Sequence, residues 1–329
     1  MGGATALAVA AVAQTAELPN YVPTRKVSGT IRICGSPQMG DLLKEYEKGF
    51  AALQPGVRFD EQLASTVTAV AGISSGSADI CLLGREIWPA EIRAFETARG
   101  HPPMVIDVAT GSYDVPKATF ALMIFVPAAN PIASLSTKEL ERIFAASETP
   151  IGTWGELGLK GEWAARPIHL YGFAVNNDKS QIFSQLIFSK EGRWSPRLKE
   201  FSNAAGTGGA DAGELIVSAV ANDPEAIGIS NVHYATDQVK ALAVRIPTHQ
   251  TPIAPTREHV ADRSYPLTRA VYMVFDRDAA HPASAAVVEF VRYVLSRQGQ
   301  QAVTREGNYL PLTPAIATVQ LHKLPTHSR

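Results

Sequence analysis

The chain has 329 residues, which is more than one hydrophobic core usually organises, so two domains are expected. Hydrophobic residues make up 46% and charged residues 19%, which is typical of a folded globular protein and excludes a disordered chain. The 30 Lys and Arg residues are balanced by 31 Asp and Glu without a basic stripe, which argues against nucleic acid as a partner.

The N-terminus predicts an export signal. Residues 4–13 are mostly small and apolar and end in Ala11-Val12-Ala13, a triplet that a signal peptidase accepts, although no Lys or Arg precedes them. We expect a periplasmic or secreted protein that is cut after Ala13, with residues 1–26 forming a signal peptide and leader. No later segment has about 20 continuous apolar residues, so no membrane span is predicted.

The first lobe is expected to span residues 27–117. Ser65 and Thr66 stand at the cap position of its second helix, and its third strand is apolar enough to be buried on both faces of a parallel sheet. The predicted elements are strand Val27–Cys34, helix Asp41–Leu53, strand Val57–Leu63, helix Val67–Ser75 and strand Ala78–Leu83. Strands that alternate with helices indicate an α/β lobe, a mostly parallel sheet flanked by helices.

A second α/β lobe is expected to span residues 118–246. Its predicted elements are strand Phe120–Val126, helix Leu135–Phe144, strand Ile168–Phe173, helix Lys179–Phe188, helix Leu215–Ala221 and strand Ile227–Ser230. Three prolines at 247, 252 and 255 then break the pattern, so residues 247–329 are expected to return to the first lobe with strand Leu267–Phe275 and helix Ala283–Ser296. A chain that leaves a lobe and returns forms a two-strand hinge, which suits closure around a ligand.

The two cysteines, Cys34 and Cys81, both lie in apolar strand segments. Export would permit a disulfide between them. The alternative is a pair of buried thiols that act as small hydrophobic groups.

Short motifs occur along the chain in a characteristic order. They are Gly35-Ser36-Pro37-Gln38-Met39, Ala78-Asp79-Ile80 with Arg85, Asn130-Pro131 with Leu135-Ser136, Ile143-Phe144 and Trp154, Asp223-Pro224-Glu225-Ala226-Ile227-Gly228, Tyr265-Pro266-Leu267, and Gly299-Gln300 to Gly307 with Leu310-Pro311-Leu312. In this order and at these distances the chain resembles the substrate-binding proteins of phosphate-type ABC transporters, which have the two-lobed type II periplasmic binding protein fold. The likeness runs from about Gly29 to Leu312.

The resemblance implies a protein that captures phosphate or a similar oxyanion between two lobes and delivers it to an ABC permease. It implies a monomer without a cofactor, a metal or chemistry of its own. Converging helix N-termini, each carrying about half a positive charge, can hold such an anion without a neutralising cation. The same fold with another solute, such as molybdate, sulfate or a small organic acid, or with a sensory role, stays open.

The resemblance also implies the anion contacts. In the first lobe they are Ser36, Gln38, Met39, Ser65, Thr66 and Arg85. The family prefers Thr at the position of Gln38, whose carboxamide can still donate, and Ser65 with Thr66 can alternatively serve only as a helix cap. Arg85 stands where the family has an Asp or an Arg, and a guanidinium favours bidentate anion binding, with ion pairing at the surface as the alternative.

The second-lobe contacts fall on a segment that departs from the family. Its Ser-Gly-Thr anion loop is replaced here by Asn177, Asp178, Lys179 and Ser180. Lys179 can neutralise charge and Asp178 can accept a phosphate hydrogen, but Asp178 also repels a dianion, so the identity of the anion stays open. The Gly206–Gly209 loop can approach a ligand or serve only as a turn.

Two further patterns occur in the sequence. Gly72-Ile73-Ser74-Ser75-Gly76 fits the G-x-S-x-G motif of serine hydrolases, but that motif needs a strand before it and a helix after it, and here the order is reversed. The eight histidines are scattered without metal-ligand spacing, so no built-in metal site is expected.

Overall fold

The computed structural model describes residues 17–116, 118–189, 192–203, 210–249, 251–277 and 282–325. The predicted export signal, with its cut after Ala13, and the Gly206–Gly209 loop lie outside these residues. The chain forms two compact units. Unit 1 combines the chain up to Thr119 with the chain from Arg269, and unit 2 spans Phe120–Thr268. The chain therefore passes between the units twice.

Strands and helices alternate through most of both units. The strands are β1 (Ser28–Gly35), β2 (Gly56–Gln62), β3 (Ile80–Leu83), β4 (Met104–Thr110), β5 (Met123–Pro127), β6 (Ser134–Ser136), β7 (His169–Phe173), β8 (Leu198–Phe201), β9 (Ala226–Ser230), β10 (Val239–Ala241), β11 (Ala243–Arg245) and β12 (Ala270–Phe275). The helices are α1 (Gly40–Leu53), α2 (Thr66–Ser75), α3 (Pro89–Arg99), α4 (Thr137–Phe144), α5 (Asp178–Ile187), α6 (Ala212–Ala221), α7 (Arg257–Ala261), α8 (Ala285–Val294), α9 (Arg297–Glu306) and α10 (Pro314–His322). The predicted elements are found with ends shifted by a few residues.

Unit 1 contains a five-stranded sheet in the order β2-β1-β3-β12-β4. β1 is parallel to β2 and β3, and β12 runs antiparallel to both of its neighbours. The apolar sequence of β3 covers both faces of this sheet. Ile80 and Leu82 belong to one core cluster, and Cys81 and Leu83 belong to a second cluster that contains Phe95. A strand covered on both faces has to be apolar throughout, which is the pattern that the sequence shows.

Unit 2 contains a five-stranded sheet in the order β10-β5-β9-β7-β8. β7 is parallel to β8 and β9, whereas β5 is antiparallel to β9 and β10. A small parallel pair, β6 with β11, accompanies it. The predicted α/β fold class, a two-lobed chain with a mostly parallel sheet and flanking helices in each lobe, is confirmed.

The predicted return to the first lobe at residue 247 is wrong, because residues 247–268 belong to unit 2. Val244 and Ile253 exchange two backbone hydrogen bonds of 2.9 Å, which tie the proline-containing segment to β11. The amide of Leu122 donates to the carbonyl oxygen of Leu267 at 3.0 Å. The prolines therefore mark a loop within unit 2, and the chain returns at Arg269.

The segment before β1 was expected to be a leader outside the lobe, but its described part is built into unit 1. Leu18 is fully buried and Tyr21 is 7% exposed, both in the cluster that contains Phe50. Arg297 Nε donates to the carbonyl oxygen of Leu18 at 2.9 Å. The lobe therefore begins earlier than residue 27.

Candidate functional site

Three loops of unit 1 leave the sheet at the same edge. β2, β1 and β3 are neighbours and parallel, with Cys34 in register with Gln62 and Gly35 in register with Leu82. The carboxyl ends of parallel strands face one edge, and open α/β sheets bind ligands there. The segments of Ser36, Ser65 and Arg85 follow these three ends, so the structure brings the predicted first-lobe residues to one edge.

The first of these segments is a 3₁₀ turn, Pro37–Met39, that begins directly after β1. A Cβ atom on Gly35 would lie 2.2 Å from the carbonyl oxygen of Leu82, so only glycine allows β1 to end this close to β3. Ser36 is 5% exposed, and its Oγ accepts a hydrogen bond from the amide of Gln38 at 3.3 Å. Gln38 is exposed.

The expected contribution of Met39 is not supported by its surroundings. Its side chain is fully buried in the core of unit 1, and its amide donates to the carbonyl oxygen of Ser36 at 3.0 Å. Met39 therefore anchors the turn to the core.

Ser65 caps helix α2. Its backbone is extended, and its Oγ accepts from the amide of Val67 at 3.1 Å. A hydroxyl that accepts keeps its own hydrogen for donation, so capping and ligand contact are compatible. Ser65 and Thr66 are partly exposed. They place a helix N-terminus with its positive dipole end at the same edge.

Arg85 is not poised for bidentate anion binding. Its side chain is 7% exposed, and its two terminal nitrogens lie 2.8 and 2.6 Å from the two carboxylate oxygens of Glu91 on α3. The sequence interpretation missed Glu91, although Pro89 followed by Glu two residues later is a helix-start signal. The ion-pair alternative describes Arg85 better, with the correction that this pair is buried.

The loops of unit 2 also converge on the carboxyl edge of its sheet. β9, β7 and β8 are parallel neighbours, and β5 begins at this edge because it runs antiparallel to β9. Asn177–Ser180 follows β7, and Phe120 precedes β5. The predicted second-lobe residues thus occupy the edge that corresponds to the one in unit 1.

Asn177 caps helix α5, with its side chain accepting from the amide of Lys179 at 3.0 Å. Asp178 is the first helical residue. Ser180 is 2% exposed, and its hydroxyl donates to the carbonyl oxygen of Phe173 at 2.9 Å. Asn177 and Ser180 therefore fix the start of α5 to the end of β7. The hydroxyl hydrogen of Ser180 is already donated to a backbone carbonyl oxygen.

Lys179 places an ammonium group at this edge. Its Nζ lies 3.2 Å from Asp178 Oδ1 and sits over two aromatic rings, 5.3 Å from the centroid of Phe120 and 5.6 Å from that of Phe173. Its side chain is 23% exposed. The two rings were predicted only as strand residues, yet they hold the ammonium group in place through cation–π contacts.

One histidine lies within reach of two carboxylates, which the scattered histidine positions did not suggest. Among the described residues, His169, Asp223 and Glu225 form a group whose potential ligand atoms lie within 4.8 Å of one another. His169 Nδ1 and the Tyr171 hydroxyl lie 2.7 and 2.8 Å from Asp223 Oδ2. Burial alone would raise the pKa of Asp223, but these hydrogen bonds and the Glu225 amide lower it. The group lies at the amino ends of β7 and β9, away from the edge described above.

Ser74 lies within α2, and its hydroxyl donates to the carbonyl oxygen of Val70 at 2.9 Å. This is a helix-internal hydrogen bond and not the strand-to-helix turn that a nucleophilic serine needs.

In the part of the chain that the structure describes, no helix is both long and apolar enough to cross a membrane.

The chain belongs to the PBP superfamily domain family, whose model matches residues 22–298. It is 29% identical over 328 residues to the phosphate-binding protein PstS of Pseudomonas aeruginosa, which covers 98% of this chain and 95% of that protein. It is 28% identical over 210 residues to protein SphX of Synechococcus elongatus, covering 62% of this chain and 57% of that protein.

Solved structures share the fold at lower identity. The ABC-type phosphate transport receptor from Vibrio cholerae has a TM-score of 0.56 at 17% identity, over 86% of this chain and 99% of that chain. PstS from Borrelia burgdorferi has a TM-score of 0.58 at 15% identity, over 87% of this chain and 100% of that chain.

Proposed function

We propose that this chain is an extracytoplasmic binding protein that captures phosphate and delivers it to the permease of an ABC transporter. The observation that carries the proposal is the likeness to the Pseudomonas aeruginosa protein, because it extends over 98% of the chain and that protein is named for phosphate binding. The two carboxyl edges support an anionic ligand, since each presents capped helix starts with polar side chains.

Each unit offers its own candidate contacts for the anion. Unit 1 supplies the carboxamide of Gln38, the hydroxyls of Ser65 and Thr66 and the start of α2. Unit 2 supplies the start of α5 and the ammonium of Lys179. Because such donors are neutral or paired, the anion is held by oriented dipoles and short-range hydrogen bonds rather than by a strong overall field.

Asp178 gives this proposal a basis for selectivity. A carboxylate at the first turn of α5 can accept a hydrogen bond from a protonated oxyanion, which phosphate is at neutral pH. Sulfate carries no hydrogen there and would be repelled by the carboxylate. Arsenate has the same protonation as phosphate, so we expect it to bind as well.

We propose that the chain binds its ligand without catalysing a chemical step. We further propose that it works as a monomer outside the cytoplasm, after removal of an N-terminal signal. The known role of the relative is binding, as its name states.

Calorimetric titration of the purified protein with phosphate, arsenate, sulfate and molybdate tests the proposal. We expect heat and thermal protection with phosphate and arsenate, and much weaker effects with the other two. Binding of molybdate or sulfate without phosphate would show that the fold carries a different solute. No heat and no protection from any of the four ions would overturn an oxyanion-binding function.

A further inference from the structure

The terminal nitrogens of Arg85 are fully engaged inside unit 1. Nη1 donates to Glu91 Oε2 at 2.8 Å and to the carbonyl oxygen of Glu86 at 2.7 Å. Nη2 donates to Glu91 Oε1 at 2.6 Å and to the carbonyl oxygen of Thr66 at 3.4 Å. The two nitrogens carry four hydrogens, and each hydrogen has an acceptor within the protein. An anion could take this fork only after displacing these acceptors.

Glu91 is held as firmly as its partner. Besides the two Arg85 nitrogens, its Oε2 accepts from the backbone amide of Trp88 at 2.9 Å, which caps the start of α3. Its side chain is 15% exposed. The guanidinium of Arg85 also lies over the ring of Trp88, with Cζ 4.2 Å from the ring centroid. The pair is therefore a buried, bidentate and stacked unit, the type whose disruption leaves a costly unpaired charge.

This pair connects three parts of the carboxyl edge. Arg85 belongs to the loop after β3, Glu91 belongs to the first turn of α3, and Thr66 is the first residue of α2. The contact with Thr66 lies one residue from Ser65, the cap of α2. The position of the α2 N-terminus relative to the loop after β3 thus depends on a guanidinium that Glu91 holds in place.

We infer that Arg85 is a positioning residue that acts through Glu91, and that it sets anion affinity by fixing the N-terminus of α2 without contacting the anion. The inference rests on the proposed function for its affinity readout. Because Glu91 neutralises the charge of Arg85, this ion pair adds no net positive charge to the carboxyl edge of unit 1.

A double-mutant cycle of Arg85→Gln, Glu91→Gln and the double variant separates positioning from direct contact. Positioning predicts that each single variant weakens phosphate binding by about tenfold or more, by analogy with residues that orient the ligands of a bound metal. The phosphate affinity of the double variant should stay within about threefold of that of the weaker-binding single variant, because both changes break the same ion pair. Direct contact predicts a different pattern: Glu91→Gln would release the guanidinium and leave binding as tight as in the wild type or tighter, which would overturn the inference.

Asp79→Asn is the matched control. Arg32 and Asp79 form another two-point ion pair in unit 1, with contacts of 3.1 and 2.6 Å, but Asp79 lies just before the amino end of β3. We expect this variant to lose stability without a loss of phosphate affinity. Hydrogen exchange should become faster in the first turn of α2 in Glu91→Gln and not in Asp79→Asn.

A spectroscopic measurement on the unaltered protein covers the case in which Glu91→Gln does not fold. The side-chain ¹⁵N–¹H signals of Arg85, assigned by their loss in Arg85→Lys, should stay in place when phosphate is added. A phosphate-dependent shift specific to these signals would show direct contact and refute the positioning role.

The failure of this inference differs from failure of the proposed function. If the wild-type protein binds no phosphate, the proposed function fails, and exchange in the first turn of α2 still decides whether the pair positions that helix. Unchanged exchange there in a folded Glu91→Gln variant would refute the inference.

Discussion

Cys34 on β1 is paired in register with Cys81 on β3, and both are free thiols. The sequence left open whether the two cysteines form a disulfide or remain thiols, and in the structure they are thiols. Cys34 is partly exposed, and a hydrogen bond with Cys81 lowers its pKa despite burial. Cys81 is fully buried, and that burial raises its pKa.

Alkylation of the native protein should therefore reach Cys34 first. Since the thiolate is the nucleophile, Cys81→Ala should slow this reaction, because the hydrogen bond that lowers the pKa of Cys34 is lost. Iodoacetamide labelling followed by mass spectrometry measures both rates. Faster labelling of Cys81 than of Cys34 would contradict the assignment, and Cys34→Ala serves as the control that leaves only the buried thiol.

Lys179→Met should weaken phosphate binding by ~10- to 100-fold, the usual worth of a hydrogen bond to a charged group. Lys199→Met is a close control, because Lys199 in the same unit also sits over two rings, 5.5 Å from Tyr171 and 5.8 Å from Phe201. Lys199 lies on β8 before its carboxyl end, so its loss should leave affinity unchanged. Calorimetry on both variants checks this, and equal losses would mean that Lys179 has no special role.

Glu47 on α1 makes the stability of unit 1 depend on pH. Burial and the negative charge of Glu61 raise the pKa of Glu47 to about 8. The folded state therefore favours the protonated form, so this contribution is complete below about pH 4.5 and is lost as the pH rises towards 8.

Glu47→Gln should remove that dependence. We expect the variant to be more stable than the wild type at pH 8 by about 1 kcal/mol, a small value because Glu47 is partly exposed and water screens the interaction. At pH 5 the difference should be smaller. Urea unfolding at the two pH values measures it, and identical differences at both would show that Glu47 titrates normally.

The Tyr21 hydroxyl donates to Glu289 Oε2 at 2.7 Å, and Glu289 is 1% exposed. Tyr21→Phe leaves this buried carboxylate without one donor, which should cost ~1–3 kcal/mol of stability. Val22→Ala is the neighbouring control, because Val22 is 74% exposed and should change stability by less than about 0.5 kcal/mol. Thermal unfolding of both variants decides whether the segment before β1 contributes to unit 1, and equal melting temperatures would show that it does not.

The sequence predicted the elements better than the contacts. The segment Val27–Cys34 was predicted as a strand, and the structure has a strand over Ser28–Gly35 with Ile31 and Ile33 buried in one cluster. The binding partner of Arg85 was not predictable in the same way. A guanidinium at this position can reach either an anion or Glu91, and the fold of the loop between Arg85 and Glu91 decides which of the two it contacts.

The domain boundary illustrates the same limit. Prolines at 247, 252 and 255 indicate a break in regular structure, but a break within a lobe and a crossing between lobes have the same local signal. The pairing of Val244 with Ile253 is a tertiary contact, and it is what keeps this segment in unit 2. The hydroxyl of Ser180 was likewise predicted as a donor to the anion, and only the structure shows that it donates to the carbonyl oxygen of Phe173.

The insertion of β12 between β3 and β4 has a consequence for the order of folding. Unit 2 is continuous in sequence, so all of its strands have been synthesised once residue 268 has emerged. The sheet of unit 1 still lacks a central strand at that moment, and β3 and β4 have no partner on the sides that β12 will occupy. A chain made or exported from its N-terminus therefore completes its inserted unit first, while the N-terminal part of unit 1 stays open until the last fifth of the polypeptide arrives.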